Sequence, residues 1–150
     1  MSISVAPCSR PRTSLGNTVR LLALDLDGTL LRRDGSISPD DVAAIGRARR
    51  AGIEVTLATG RLIGGTLPSA RVLDLTLPMV CGDGATVACS RDGRVLHGHE
   101  LSTKEIRGLL GVMREHLLVP FILLHDVVHC DRRGEPLSAY LRALSTSIHI

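Results

Sequence analysis

The apolar residues in the first third of the chain fall into two short runs separated by a segment with helical spacing. Leu21–Leu24 is continuous and apolar, as is typical of a strand buried on both faces, and Ile53–Ala58 is a second run of strand length. Between them, Val42, Ile45 and Ala48 recur at three-residue intervals, which predicts a helix with one inward face. The order strand, helix, strand predicts a parallel βαβ unit.

The helix of this unit has recognisable ends in the sequence. Ser38 suits the N-cap and Pro39 suits the first helical position, while Asp40 and Asp41 are favourable in the first turn. Gly52 is a typical residue just beyond a helix C-terminus. We therefore predict a helix that begins at Pro39 and ends shortly before Gly52.

Strands and helices continue to alternate along the rest of the chain. We predict a helix over about Thr66–Leu73, strands at Met79–Cys81, Thr86–Cys89 and Val95–His97, and a hairpin over 120–130 that turns at His125–Asp126. A capping box at Ser102–Glu105 predicts a further helix, and the segment 136–144 a helix start. The capping-box helix is expected to pack through one apolar face: Ile106, Leu109, Leu110, Met113 and Leu117. This order predicts an α/β fold with a doubly wound parallel sheet.

Charge and aromatic content argue against a nucleic-acid-binding surface. The net charge of +3 is accounted for by Arg10, Arg12 and Arg20, and the chain from Asp25 onward is balanced. Aromatic residues make up only 1% of the chain, whereas 44% is hydrophobic, so the predicted core is aliphatic. Neither a basic surface nor stacking side chains are predicted.

Cysteine spacing and hydropathy favour a cytoplasmic protein. The four cysteines, at 8, 81, 89 and 130, form no close pair, which is typical of reduced thiols. No apolar run reaches the length of about 20 residues that spans a bilayer. Residues 1–19 contain Arg and Ser but no acid, and Pro7 and Pro11 interrupt any amphipathic helix. We expect a disordered leader over 1–19 rather than a transit peptide.

Polar residues follow three predicted strands at the points where those strands end. Asp25 and Asp27 follow the first strand, Thr59 the second, and Gly82–Gly84 the third. Ligands of doubly wound sheets bind beyond the carboxyl ends of the strands. Buried carboxylates need a partner, and a metal ion is one such partner. The sequence therefore predicts a binding site at this edge of the sheet.

The residue types at this edge suit phosphoryl transfer. An Asp carboxylate is ionised at pH 7, since its ordinary pKa is about 3.9, and it can attack phosphorus without a separate base. Mg²⁺ suits a site with one or two carboxylates and phosphate, and a second carboxyl two residues along faces the same side. Backbone N–H groups before the next helix are expected to face the phosphate. The alternatives are strand-end solvation for the carboxylates, a helix N-cap for Thr59 and surface charge for Arg61.

The segment DLDGT (Asp25–Thr29) resembles the first motif of the haloacid-dehalogenase-like (HAD) hydrolases. Ile37–Arg61 and Val80–Val87 are similar to the Cof-type sugar-phosphatase branch of that family. The resemblance implies that Asp25 is the nucleophile and Asp27 the acid/base. It also implies that Thr59, Gly60 and Arg61 bind phosphate, and that Mg²⁺ is held by Asp25 and Asp27. Asp83 stands where this branch usually has Asn.

The same resemblance implies how the chain is organised. Residues 20–85 correspond to the N-terminal half of a doubly wound, Rossmann-like HAD core, and 86–150 to part of an inserted α+β cap. The family's third-motif lysine and fourth-motif acidic pair have no counterpart here, because the only lysine, Lys104, lies in the capping box. We expect a truncated chain with little activity, and with an unpaired sheet edge at Leu21–Leu26 that favours self-association.

Three functions follow from these patterns. The first is a Mg²⁺-dependent phosphomonoester hydrolase that acts on a small phosphorylated metabolite through an aspartyl-phosphate. The others are a non-catalytic fragment with weak metal or phosphate binding, and a phosphomutase. A zinc site at His125, His129 and Cys130 is disfavoured, because in a strand the two histidines would be about 13 Å apart.

Overall fold

The computed structural model describes residues 20–124 and 126–150, and the predicted leader over 1–19 lies outside them. The chain begins with the predicted parallel βαβ unit: β1 (Leu21–Leu24), α1 (Pro39–Arg50) and β2 (Glu54–Leu57). β1 and β2 pair in parallel over their full lengths. The hydroxyl of Ser38 caps α1 by accepting from the amides of Asp40 and Asp41 at 3.1 and 3.3 Å. Both ends predicted for this helix are confirmed.

The sheet continues from β2 to β3 (Met79–Cys81) through a parallel bridge between Ala58 and Val80. The intervening helix, α2 (Ile63–Val72), begins three residues earlier than predicted. Its N-cap, Leu62, provides no side-chain acceptor, and the amide of Gly64 is capped by the carboxylate of Asp126 instead. The sequence around α2 contains no sign of this cap because Asp126 lies 62 residues further along the chain.

Beyond β3 the pairing becomes antiparallel. β4 (Thr86–Ala88) pairs with β3, and β5 (Val95–Gly98) pairs with β4, as a three-stranded unit. The tight 3₁₀ turn Gly82–Gly84 joins β3 to β4. The division between core and cap at residues 85 and 86 stays a prediction.

The last third of the described chain forms a separate small sheet. After α3 (Thr103–Glu115) come β6 (Phe121–Leu124), β7 (Val127–Cys130), α4 (Ser138–Leu144) and β8 (Ser147–His149). β6 and β7 form the predicted antiparallel hairpin, and β8 adds in parallel to β7. β8 was not predicted. His125, at which the sequence predicts the turn of the hairpin, lies outside the described residues.

Two apolar clusters hold these elements together. The larger cluster lies between the parallel strands, α1, α2 and β3, and its fully buried members include Leu26, Leu57 and Met79. The smaller cluster joins Leu62, which directly precedes α2, to Val128 of β7 and Leu141 of α4. Leu62 thereby joins the start of α2 to the small sheet.

Two packing predictions are wrong. β1 is not buried on both faces: Leu21 is 53% exposed and Leu22 37% exposed, because among the described residues β1 pairs only with β2. α3 has the predicted capping box, but it contains no buried residue, and Leu109 is 51% exposed. The apolar stripe of α3 therefore lies largely on the surface of the part of the chain that the structure describes.

No helix among the described residues is long and apolar enough to cross a membrane.

Candidate functional site

Three strand ends meet at one edge of the sheet, as the sequence predicts. The amide of Ala58 donates to the carbonyl of Leu24 at 2.9 Å, and the amide of Thr59 donates to the carbonyl of Val80 at 3.0 Å. These bonds align the segments that follow β1, β2 and β3. The loops beginning at Asp25, Thr59 and Gly82 therefore lie side by side.

The loop after β1 turns tightly around Leu26. The carbonyl of Leu26 accepts from the amides of Leu30 and Leu31 at 3.0 and 2.8 Å, while its side chain is fully buried. Gly28 permits this turn by adopting a φ of 77°, which is unfavourable for other residues. Asp25 and Asp27 flank Leu26 and are both exposed, so the expectation of buried carboxylates is wrong.

Asp27 forms a two-pronged ion pair with Arg61. The Nε of Arg61 donates to one carboxylate oxygen at 2.7 Å, and Nη2 donates to the other at 2.6 Å. The Arg61 side chain is 16% exposed and that of Asp27 is 53% exposed. This fork geometry is the arrangement in which a guanidinium binds a carboxylate most specifically. Arg61 is therefore paired with a carboxylate at this edge, and its contact with substrate phosphate stays a prediction.

The ion pair favours the ionised form of Asp27. Hydrogen bonds from Arg61 lower the pKa of the Asp27 carboxyl, and the slight burial of that carboxyl opposes this effect. The same hydrogen bonds raise the pKa of Arg61. Asp27 is therefore an ionised acceptor at neutral pH.

Asp25 has a different neighbour. Its Oδ2 accepts from the hydroxyl of Thr29 at 3.1 Å, and both residues are exposed. Thr29 was not singled out as a site residue, although it belongs to the DLDGT segment. Its hydroxyl orients one oxygen of the Asp25 carboxylate and leaves that carboxylate open to solvent.

Thr59 is 6% exposed, and its hydroxyl oxygen accepts from the amide of Arg61 at 3.2 Å. The proton of the same hydroxyl is a donor for a further acceptor. The alternative role of a helix N-cap is wrong for Thr59, because α2 has Leu62 at that position. Thr59 instead shapes the loop that carries Arg61.

Asp83 lies beside this loop, in the Gly82–Gly84 turn that the sequence predicts at this edge. Its amide donates to the carbonyl of Thr59 at 3.3 Å, and its backbone is left-handed with a φ of 52°. A Cβ atom on Gly60 would lie only 2.7 Å from Asp83 Oδ1. Gly60 therefore leaves room for the Asp83 carboxylate. In the sequence, the Gly-Asp-Gly segment is the signal that indicates this turn.

The expectation that backbone N–H groups before α2 face a phosphate is wrong for Arg61 and Leu62, and the amide of Gly64 in the first turn of α2 is also occupied. The amide of Arg61 is bonded to Thr59, that of Leu62 donates to the carbonyl of Leu144 at 2.8 Å, and that of Gly64 donates to Asp126 at 2.8 Å. A protein carboxylate thus takes the position at the α2 N-terminus that an anion would favour.

The donor set at this edge fits Mg²⁺. Asp25 and Asp27 offer hard oxygen ligands, and Mg²⁺ needs only one or two carboxylates beside water and phosphate. Across 20–124 and 126–150, no three His, Cys, Asp or Glu side chains are grouped to hold a metal ion. In the small sheet His129 packs edge-to-face on His149, with ring centroids 5.3 Å apart, and His125 of the zinc alternative lies outside the described residues.

Comparison with known proteins agrees with this geometry. The haloacid dehalogenase-like hydrolase family matches residues 22–135. A pyridoxal phosphate phosphatase of Escherichia coli is 30% identical over 111 residues, which are 74% of this chain and 41% of that protein. A 5-amino-6-(5-phospho-D-ribitylamino)uracil phosphatase of Bacillus subtilis is 41% identical over 70 residues, which are 46% of this chain and 23% of that protein.

Solved structures share the fold. A haloacid dehalogenase-like hydrolase from B. subtilis has a TM-score of 0.67 and 25% identity over 81% of this chain and 42% of its own. A haloalkanoate-superfamily phosphatase from Bacteroides thetaiotaomicron has a TM-score of 0.71 and 22% identity. The match covers 99% of this chain and 53% of that phosphatase. The chain belongs to the haloacid dehalogenase-like hydrolase family. It spans about half the length of these structures and less than half of those two phosphatases.

Proposed function

We propose that this protein is a Mg²⁺-dependent phosphomonoester hydrolase that works through an aspartyl-phosphate on Asp25. The observation that carries the proposal is the pair of exposed carboxylates, Asp25 and Asp27, on either side of the buried Leu26 at a strand end. Thr59 and Arg61 follow the neighbouring strand at the same edge. The family membership supports the same chemistry.

Asp25 is the nucleophile. Its carboxylate oxygen forms a bond to phosphorus as the ester P–O bond breaks, and the departing alcohol oxygen takes a proton from Asp27. Asp27 then removes a proton from water, and that water attacks phosphorus. Phosphate leaves and the Asp25 carboxylate is regenerated.

Arg61 and Thr59 bind the phosphoryl group. The Thr59 hydroxyl proton is available to a phosphate oxygen, and the Arg61 fork that holds Asp27 has the shape that suits phosphate. When Arg61 turns to the substrate, Asp27 loses its two charged hydrogen bonds. The pKa of Asp27 then rises toward its ordinary value, and the carboxylate takes up from solvent the proton that it gives to the departing alcohol.

Mg²⁺ would be held by the Asp25 carboxylate and the backbone carbonyl of Asp27. When bound, the ion offsets the repulsion between the Asp25 carboxylate and the phosphate oxygens. The exposure of both aspartates leaves room for the waters that Mg²⁺ retains.

We infer that the substrate is a small phosphorylated metabolite in the cytoplasm. The two curated phosphatases above are named for phosphate esters of this size. The buried thiols of Cys81 and Cys89 are unpaired, which suits a reducing compartment. Neither nucleic acid nor membrane is proposed as a partner.

The test is phosphate release from a panel of sugar phosphates. We expect slow release that requires Mg²⁺ and is abolished in Asp25→Asn, because an amide is not a nucleophile here. Undiminished release in EDTA or in Asp25→Asn would contradict the mechanism, and an isomeric sugar phosphate as product would indicate a phosphomutase. Absence of release with all substrates would favour the non-catalytic alternative.

A further inference from the structure

The N-terminus of α2 is capped by a residue from the small sheet. The carboxylate of Asp126, between β6 and β7, accepts from the amide of Gly64 at 2.8 Å. Leu62 supplies no side-chain cap of its own. The backbone of Asp126 is itself fixed, because the fully buried Ser145 donates its hydroxyl to the Asp126 carbonyl at 2.6 Å.

A second contact joins the same two parts of the chain. The amide of Leu62 donates to the carbonyl of Leu144 at the end of α4, and the Leu62 side chain is buried against Val128 and Leu141. Leu62 is 6% exposed, so its side chain belongs to the interior of the small-sheet unit. Both contacts fall within the three residues Leu62–Gly64.

These contacts begin one residue after the loop Thr59–Arg61. Arg61 reaches Asp27 from this loop, and its Nη1 also donates to the carbonyl of Gly65 at 3.4 Å, in the first turn of α2. The position of the α2 N-terminus therefore determines where the Arg61 guanidinium lies. Any shift of Leu62–Gly64 relative to β1 changes the distance that Arg61 must span.

We propose that Asp126 is a positioning residue that couples the small sheet (β6–β8 with α4) to the Arg61–Asp27 ion pair. Its carboxylate fixes the first turn of α2, and the first turn fixes the loop that carries Arg61. The coupling stands on these contacts alone, and only its consequence for phosphate chemistry rests on the proposed function.

The fit between Gly64 and Asp126 offers a second way to disturb the coupling. A Cβ atom on Gly64 would overlap Asp126 Oδ2 and lie 2.9 Å from the Thr146 hydroxyl oxygen. Gly64→Ala therefore pushes the carboxylate away without changing Asp126. We expect loss of the Asp126 carboxylate and Gly64→Ala to displace the same loop, Thr59–Arg61.

The experiment follows the Arg61 Nε–H resonance and the amides of Thr59–Arg61 by NMR in the full 150-residue chain. In Asp126→Ala we expect the Gly64 amide to exchange roughly fivefold faster, which is the typical effect of losing a helix cap. We also expect the Arg61 Nε–H resonance to shift or broaden. Asp126→Asn retains an acceptor oxygen and is expected to restore both signals, because Asn caps helices about as well as Asp.

Asp131→Ala is the matched control. The carboxylate of Asp131 also caps a helix, the 3₁₀ helix Arg132–Leu137. It accepts from the amide of Arg133, which is only two residues away. Its loss is expected to leave the Arg61 signals unchanged.

A purely local cap would give a different result. If the Gly64 amide exchanges faster in Asp126→Ala while the Thr59–Arg61 amides and Arg61 Nε–H stay unchanged, the coupling is overturned. If Asp126→Ala does not fold, Gly64→Ala decides by the same signals, with Gly46→Ala in α1 as its control. None of these signals needs substrate, so failure of the phosphatase proposal would leave this test intact.

Discussion

The guanidinium of Arg61 contacts both carboxylate oxygens of Asp27, at 2.6 and 2.7 Å, across 34 residues of sequence. This contact joins the loop after β1 to the loop after β2 and holds the predicted acid/base in its ionised form. Proton donation by Asp27 therefore requires this pair to separate first. The first prediction below follows from this relation between the two side chains.

Arg61→Gln should raise the pKa of Asp27 toward its ordinary value, because the two charged hydrogen bonds that lower it are lost. A carboxyl pKa that is lower in the folded than in the unfolded state stabilises the protein at pH values above the unfolded-state pKa. This stabilisation is lost as the pH falls through the folded-state pKa. That contribution is small, since the Asp27 side chain is about half exposed. Carboxyl-carbon NMR titration of Asp27 measures the change.

Arg133→Gln is the control for this titration. Arg133 forms a similar pair with Asp131 at 2.7 Å and lowers the pKa of that carboxyl. Arg133→Gln should raise the pKa of Asp131 and leave the pKa of Asp27 unchanged. An Asp27 titration that is the same in wild type and Arg61→Gln would show that the ion pair is not formed in solution.

Gly60→Ala should lower the free energy of unfolding by about 1 kcal/mol, the low end for overpacking, because the Asp83 carboxylate has some freedom to move. Asp83→Gly should relieve most of that loss, since it removes the carboxylate at a position with left-handed backbone. Urea unfolding of both single variants and the double variant gives the coupling. Additive effects would contradict the contact between Gly60 and Asp83.

Loss of a helix cap should have different consequences in α1 and α3. Ser38→Ala should cost about 1 kcal/mol of global stability, because α1 packs on the main core through Ile45. Ser102→Ala should affect only local exchange in α3, which contains no buried residue. Equal losses of global stability in the two variants would show that α3 is packed in solution.

The exposed strand β1 should promote association of the chain with itself. Leu22→Lys is expected to reduce it, since a charge on an edge strand opposes edge-to-edge pairing. Analytical ultracentrifugation measures the change, and Leu109→Lys on α3 is the matched control. If Leu109→Lys prevents association and Leu22→Lys does not, the contact surface is α3 rather than β1.

Local signals in the sequence were sufficient for most of the elements and for bringing the predicted site residues to one edge of the sheet. Ser38, Pro39 and Gly52 mark α1 because capping and backbone geometry act within a few residues. The capping box of α3 is present for the same reason. The aspartates after β1 and Thr59 after β2 were placed together because parallel strands end at one edge.

Features that depend on distant contacts were not predictable. The start of α2 depends on Asp126, which lies 62 residues further along the chain than the Gly64 amide that it caps. The Arg61–Asp27 pair also depends on two loops meeting, so the sequence could place Arg61 at the edge but could not identify its partner. The short strand β8 forms because β7 offers it a free edge.

Formation of a phosphoryl mimic on Asp25 tests the central claim most directly. Beryllium fluoride with Mg²⁺ should give bound ¹⁹F NMR signals in the wild-type chain, because the Asp25 carboxylate completes the tetrahedral beryllium group. Asp27→Asn should retain these signals, while Asp25→Asn or EDTA should abolish them. Bound signals that persist in Asp25→Asn, or none in the wild type with Mg²⁺, would contradict Asp25 as the phosphoryl acceptor.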